Sequence, residues 1–177
     1  MSEATYLSPA KINLFLHITS KRADGYHNLQ TIFQLLDFSD EITFSLRNDG
    51  EINRIYGNET IPADKDLILR SANTLKKYSK TVSGVDIGVT KKIPTGGGLG
   101  GGSSNAATVL IALNDLWNLK LPKSELLDIA QTLGADVPVF VNGYSARYNA
   151  VGFPRFACNK YQRFTARSTQ TPHDSWK

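Results

Sequence analysis

A chain of 177 residues, 41% of them hydrophobic, is long enough to bury one sizeable core and too apolar to be disordered throughout. The first ten residues combine no basic segment with an apolar one, no run approaches the roughly 18 apolar residues of a spanning helix, and Cys158 has no second cysteine to pair with, so a cytoplasmic protein without membrane attachment is expected. The net charge of +4 is uneven: residues 146–177 hold Arg147, Arg155, Lys160, Arg163, Arg167 and Lys177 against Asp174, a balance of +5 that leaves −1 for residues 1–145 and argues against nucleic acid as a partner.

Thr5 to Ile18 reads as extended chain. From Ala10 onward Ile12, Leu14, Leu16 and Ile18 fall on one face and Lys11, Asn13 and His17 on the other. Lys21 to Asn28 is polar around Asp24-Gly25, a turn signal that places Tyr26 and His27 at or just after the turn. Leu29 to Phe38 is apolar and is assigned to strand, since Ile42, Phe44 and Leu46 alternate directly after it. Asp64 to Lys80 carries Leu67, Ile68, Ala72, Leu75 and Tyr78 at helical spacing behind an acidic start. Val85 to Ile93 is a strand, and Ser104 to Asn118 a helix with Ala106, Ala107, Leu110, Leu113, Leu116 and Trp117 on its apolar face, N-capped by Ser103 or Ser104. Pro122 to Leu133 is a third helix stopped by Gly134. Val139 to Val141 is expected as a short strand turned by Asn142-Gly143, with Pro138 keeping Val137 out of the α region and Asp136 in a tight link. From Ala146 onward no periodicity is legible. Strands and helices are mixed without strict alternation, which predicts an α+β fold over residues 1–145 and an irregular basic tail over residues 146–177.

The segment between the strand at Val85–Ile93 and the helix that follows it carries the chemistry. Pro94, Thr95, Gly96, Gly97, Gly98, Leu99, Gly100, Gly101, Gly102, Ser103 and Ser104 place six of the 14 glycines directly before a helix start. Glycines let successive N–H groups converge on an anion without an intervening Cβ, and the helix start adds free donors and partial positive charge. The expected ligand is a phosphate group. A Walker loop is excluded because no lysine lies between Lys92 and Lys120, and a dinucleotide fingerprint at Gly97–Gly102 is an automatic consequence of glycine density. A flexible linker fits poorly, because a strand precedes and a helix follows.

Three segments combine into a resemblance: Ser8-Pro-Ala-Lys-Ile-Asn-Leu-Phe-Leu16, Arg22-Ala-Asp-Gly-Tyr-His27, and the glycine segment from Pro94 to Ala107. In this order they resemble the small-molecule kinase superfamily of galactokinase, homoserine kinase and mevalonate kinase. Asp24-Gly-Tyr-His27, with Leu29-Gln-Thr-Ile-Phe-Gln34 and Gly134-Ala-Asp-Val-Pro-Val-Phe140, is similar within it to the 4-diphosphocytidyl-2-C-methyl-D-erythritol kinases. The resemblance covers residues 6–145 and implies ATP-dependent phosphorylation of a hydroxyl on a small-molecule, cytidine-diphosphate-linked substrate in the non-mevalonate route to isoprenoids. It implies ATP on the glycine loop with Mg²⁺ bridging the phosphates, Asp136 accepting the hydroxyl proton, and Lys11 stabilising the nearby charge. It further implies Asn13 on the polyol or phosphate end of the substrate and Tyr26 and His27 on cytosine. No protein cluster of metal ligands is expected.

Two departures belong to the same reading. Asp66 stands before Leu67-Ile68 where many relatives have asparagine, and residues 146–177 supply no second glycine motif of the kind the family carries in a further domain. A nucleotide-binding fragment without catalysis is therefore one alternative. An RNA-binding module is another, since the expected fold also occurs in ribosomal proteins.

Overall fold

The computed structural model describes residues 3–21, 27–57, 61–143 and 146–149, with the side chains of 27–29 and 146–149 left aside. Its frame is a long antiparallel pair, β1 (Ala4–Lys21) and β2 (His27–Arg47), in register from Ala4 opposite Phe44 to Lys21 opposite His27. The expected strands at Leu29–Phe38 and Ile42–Leu46 are one continuous element, because both apolar stretches pair with the same partner strand. β3 (Ile52–Tyr56), α1 (Leu67–Ser79) and β4 (Gly84–Thr90) follow as a crossover unit whose two strands are parallel. β4 pairs antiparallel with β2 over Glu41–Arg47, giving the order β1-β2-β4-β3. Antiparallel pairing around a single crossover is the predicted α+β class.

α2 (Gly101–Leu116) packs on α1, on α4 (Val137–Asn142) and on β1, and α3 (Lys123–Leu133) lies against α4. The core forms between these helices and one sheet face: Ile42, Phe44, Val85, Ile87 and Val89 meet Ile68, Leu75, Leu110 and Leu113. Each such side chain, taken fully out of water, contributes about 1.5–3 kcal/mol before ordering costs. Tyr6 packs edge-on against Phe44 at 5.5 Å between centroids.

Local signals set the helix ends. Asp66 accepts a hydrogen bond from Ile68 N at 2.9 Å as the N-cap of α1, while Lys76 and Lys77 sit in its last turn, where positive charge complements the helix dipole. The opposite sheet face is polar: Arg47 donates to Asp86 at 2.9 and 3.1 Å, and Asn53 donates to Asp86 at 3.1 Å. Arg47 also bonds Asp49; that bond and the Glu51 N–H pull the Asp49 carboxyl down to about 2.

The structure corrects two expectations and adds one observation. Val139–Val141 is not a strand but part of α4, with Val137 and Pro138 in its first turn and Gly143 closing it at φ +74°. A short, wholly buried apolar run has no periodicity to distinguish strand from helix, and proline is tolerated in a first turn. After Ser145, Ala146–Asn149 forms β5, paired with Gln30–Phe33 of β2; backbone pairing at a strand edge needs no side-chain pattern. Along β1 the apolar row Leu14, Leu16 and Ile18 is exposed, while Lys11 is buried. Register shifts between Pro9 and Lys11 and between Asn13 and Phe15 break the simple alternation.

Candidate phosphate-binding and catalytic site

The glycine segment links the end of β4 to the start of α2. Gly96, Gly98 and Gly100 have φ of +81°, +69° and +72°, the left-handed region that side chains resist. At Gly96 and Gly98 a Cβ would meet nothing within 4 Å, so conformation alone requires glycine there. Gly100 adds a close approach: a Cβ would stand 2.8 Å from Phe140 Cζ and 3.2 Å from Lys11 Cε. Pro94, Thr95 and Gly97 are exposed on the loop, and the Leu99 carbonyl accepts from Lys11 N at 2.9 Å.

α2 starts three residues before the predicted Ser104, at Gly101, with Gly100 as N-cap. Neither Ser103 nor Ser104 caps it; Ser104 is fully buried, and its hydroxyl is bonded instead to Ser8 Oγ at 2.9 Å. Because Gly100 already takes a left-handed cap conformation, the serines fall inside the first turn. The N–H groups of Gly101, Gly102 and Ser103 have no earlier turn to bond to, and they stand at the end of the glycine loop.

Beside the loop lies a directed polar chain. Lys11 is buried, its ammonium donating to Asn13 Oδ1 at 2.7 Å, standing 3.5 Å from Asp136 Oδ2 and 5.2 Å from the centre of the Phe33 ring. Asn13 Nδ2 donates to Thr31 Oγ1 at 2.8 Å, and Thr31 Oγ1 donates to the Phe15 carbonyl at 2.5 Å. Every donor has one acceptor in this series, so the Asn13 amide and the Lys11 ammonium are oriented from β2. Asp136 occupies the N-cap position of α4 yet makes no side-chain cap bond, and its side chain is 40% exposed. A half-open carboxylate beside a buried ammonium is accessible to a substrate hydroxyl in a way that a capping aspartate is not.

Lys11, Asn13, Asp136 and the loop are thus brought together from positions up to 125 residues apart in sequence. Tyr26 lies outside the described residues; His27 opens β2 opposite Lys21, with its side chain outside them too. Thr31 and Phe33 complete the surroundings of Lys11 and were not identified from sequence. Thr31 carries the one hydroxyl in the apolar stretch from 29 to 38, which was the available signal. Asp66 is buried, with Oδ1 taken by Ile68 N and Oδ2 by Arg54 Nη1 at 2.9 Å. It lines a small pocket with Ile61, Lys65, Leu67 and Gly102 next to the α2 start.

Among the described residues no three His, Cys, Asp or Glu side chains are grouped to hold a metal ion, and no helix is long and apolar enough to cross a membrane.

Residues 66–144 match the model of the GHMP kinases N terminal domain. A protein of Ruthia magnifica subsp. Calyptogena magnifica named 4-diphosphocytidyl-2-C-methyl-D-erythritol kinase is 55% identical over 149 residues, 84% of this chain and 52% of that protein. A crystal structure of 4-(cytidine 5'-diphospho)-2C-methyl-D-erythritol kinase superposes with a TM-score of 0.72 at 38% identity, covering 86% of this chain and 54% of its own. Homoserine kinase from Cytophaga hutchinsonii, at 18% identity and a TM-score of 0.56 over 81% of this chain and 43% of its own, shares the fold. The chain spans about half the length of the curated relatives it matches. Residues 66–144 are thus similar to the N-terminal domain of the GHMP kinases, and residues over about half the length of the 4-diphosphocytidyl-2-C-methyl-D-erythritol kinases are similar to those enzymes.

Proposed function

We propose that this site serves the ATP-dependent phosphorylation of a hydroxyl of 4-diphosphocytidyl-2-C-methyl-D-erythritol, in the cytoplasm, as a step of non-mevalonate isoprenoid biosynthesis. The observation that carries the reading is the Lys11–Asp136 pair at 3.5 Å, set against a glycine loop whose Leu99 carbonyl is held by Lys11 N–H. The relatives named above support the substrate.

The residues present fit a nucleotide polyphosphate. Three left-handed glycines and an open helix start offer converging backbone donors, and the open space beside Gly96 and Gly98 leaves room for phosphate. ATP would be taken up together with a Mg²⁺ ion. When bound, the ion neutralises phosphate charge as it develops.

Asp136 takes the proton of the attacking hydroxyl while that oxygen bonds to the γ-phosphorus and the bond to the bridging oxygen of ADP breaks. Lys11 places its ammonium beside both the carboxylate and the incoming charge, and Asn13, held by Thr31, keeps the ammonium aimed. Gly101, Gly102 and Ser103 present their N–H groups to the phosphates. Tyr26 and His27 read the cytosine: His27→Ala is expected to raise KM for the cytidylylated substrate with ATP affinity unchanged. Homoserine or mevalonate phosphorylated equally well would refute that selectivity.

A second reading is favoured by the half-length match: the 177 residues form a nucleotide-binding half that performs no transfer until another domain closes the cleft. One experiment separates the two. The purified chain is incubated with γ-labelled ATP and the cytidylylated substrate, with nucleotide binding measured in parallel. Label transfer lost in Asp136→Asn supports catalysis by this chain, and ATP binding without transfer supports the second reading. Neither binding nor transfer refutes the assignment of the loop.

A further inference from the structure

Ser8 and Asp40 face each other in the β1–β2 register, and neither belongs to the polar chain around Lys11. Both are fully buried. Asp40 stands one residue beyond the last β2–β4 pair, Glu41 opposite Thr90. Where that ladder ends its carboxylate takes over: Oδ1 accepts from Lys92 N at 2.7 Å and Ile93 N at 2.8 Å, and Oδ2 accepts from the Lys91 ammonium. These are the last residues before Pro94 opens the glycine loop. On the neighbouring strand Ser8 Oγ is bonded to Ser104 Oγ at 2.9 Å and to Asn105 Oδ1 at 2.8 Å, in the turn where the loop ends.

We propose that Ser8 and Asp40 are positioning residues for the phosphate loop, one cross-strand pair pinning both ends of a segment whose middle is held by Lys11 N–H on the Leu99 carbonyl. The inference rests on the reading of residues 94–104 as a polyphosphate cradle. A glycine-rich loop is the segment with the most backbone entropy to lose on binding, so holding its two ends beforehand removes part of that cost from the ligand. The restraint is efficient because both anchors are buried. Their hydrogen bonds have no water to compete with them, and every buried polar side-chain atom among the described residues is partnered. The pair also ties the loop to the same sheet that carries Lys11, so the phosphates and the ammonium share one rigid frame.

The test is ATP binding by the full 177-residue chain, with affinity and stoichiometry read separately by calorimetry and melting temperature recorded alongside. Ser8→Ala removes the exit anchor, and Asp40→Asn keeps an acceptor for the backbone but breaks the charge pair with Lys91. Each is expected to weaken ATP binding about fivefold or more, the factor that corresponds to one ordinary hydrogen bond, with unchanged stoichiometry. Trp117→Phe is the stability control; it loses the indole bond to the Gly84 carbonyl at the far end of α2 and should lower the melting temperature without moving the affinity. A chain that binds ATP with the same affinity in the Ser8 and Asp40 variants overturns the proposal, and so does an equal loss in Trp117→Phe. Failure of the unsubstituted chain to bind ATP overturns the loop reading itself, and the proposal falls with it.

Discussion

Three glycines of one loop should respond to the same substitution in three different ways. At Gly102, inside α2, an alanine Cβ would lie 3.7 Å from Leu67 Cδ1, an ordinary contact, and the residue has no left-handed φ. Gly102→Ala should therefore stabilise the domain by about 0.4–1 kcal/mol, the usual gain from restricting the unfolded chain where the native φ is compatible. At Gly98 the added methyl meets nothing, but φ is +69°, so Gly98→Ala should cost about 1–2 kcal/mol from conformation alone. Gly100→Ala carries that conformational cost at φ +72° together with overlap on Phe140 at 2.8 Å and Lys11 at 3.2 Å, about 1–3 kcal/mol more, for a total of about 2–5 kcal/mol. At about 3 °C per kcal/mol for a domain of this size, the melting temperature should rise by about 2 °C for Gly102→Ala, fall by about 3–6 °C for Gly98→Ala and fall by about 6–15 °C for Gly100→Ala. Scanning calorimetry of the three variants measures the order directly. A Gly100→Ala protein as stable as Gly102→Ala would refute the close packing of the loop on Phe140 and Lys11. A Gly98→Ala protein less stable than Gly100→Ala would refute the open space at Gly98.

Lys11→Ala and Asp136→Asn should each abolish most turnover in a catalytically competent form, with the double variant little worse than the worse single, because the two groups act as one ion pair; additive losses in kcat would separate their roles. Arg54→Met should destabilise the domain by about 3–5 kcal/mol in denaturant unfolding, since it strips the Asp66 carboxylate, 2% exposed, of its cation. Asp66→Asn added to Arg54→Met should recover part of that loss, and unchanged stability in the Arg54→Met variant would show the pair to be idle. The Asp49 carboxyl, lowered to about 2 from an ordinary 3.8, favours the folded chain above its unfolded value; that contribution should fade as pH falls from about 4 through 2. In Arg47→Ala the Asp49 midpoint, followed by NMR, should climb back toward the ordinary value, and an unmoved midpoint would exclude Arg47 as its main cause.

The strand–glycine–helix order was legible in the sequence because it is local: six glycines lie between a strand pattern and a helix pattern, and the proposed anion site is argued from that order without reference to any distant residue. The α+β class, the helices α1 to α3 and the stop at Gly134 were legible for the same reason, since caps and periodicity are written within a few positions. Local pattern failed where the run was short and wholly buried, as at Val137–Val141, or where backbone pairing alone makes the strand, as at Ala146–Asn149. Lys11 shows the limit most clearly. Alternation by itself puts it on a solvated strand face, and only the resemblance to kinases marked it. Its burial follows from a register shift on β1 and from the arrival of Thr31 and Phe33 on β2 and of Asp136 at the start of α4, two other places in the chain. The opposed anchors Ser8 and Asp40 had no sequence signal, because a serine and an aspartate 32 residues apart become a pair only once β1 and β2 are in register. Composition and spacing along the chain therefore determined which segment is proposed to hold phosphate. Strand register and helix packing determined which side chains surround it, since a buried ion pair or a cross-strand anchor exists only between residues that the folded backbone brings within hydrogen-bond distance.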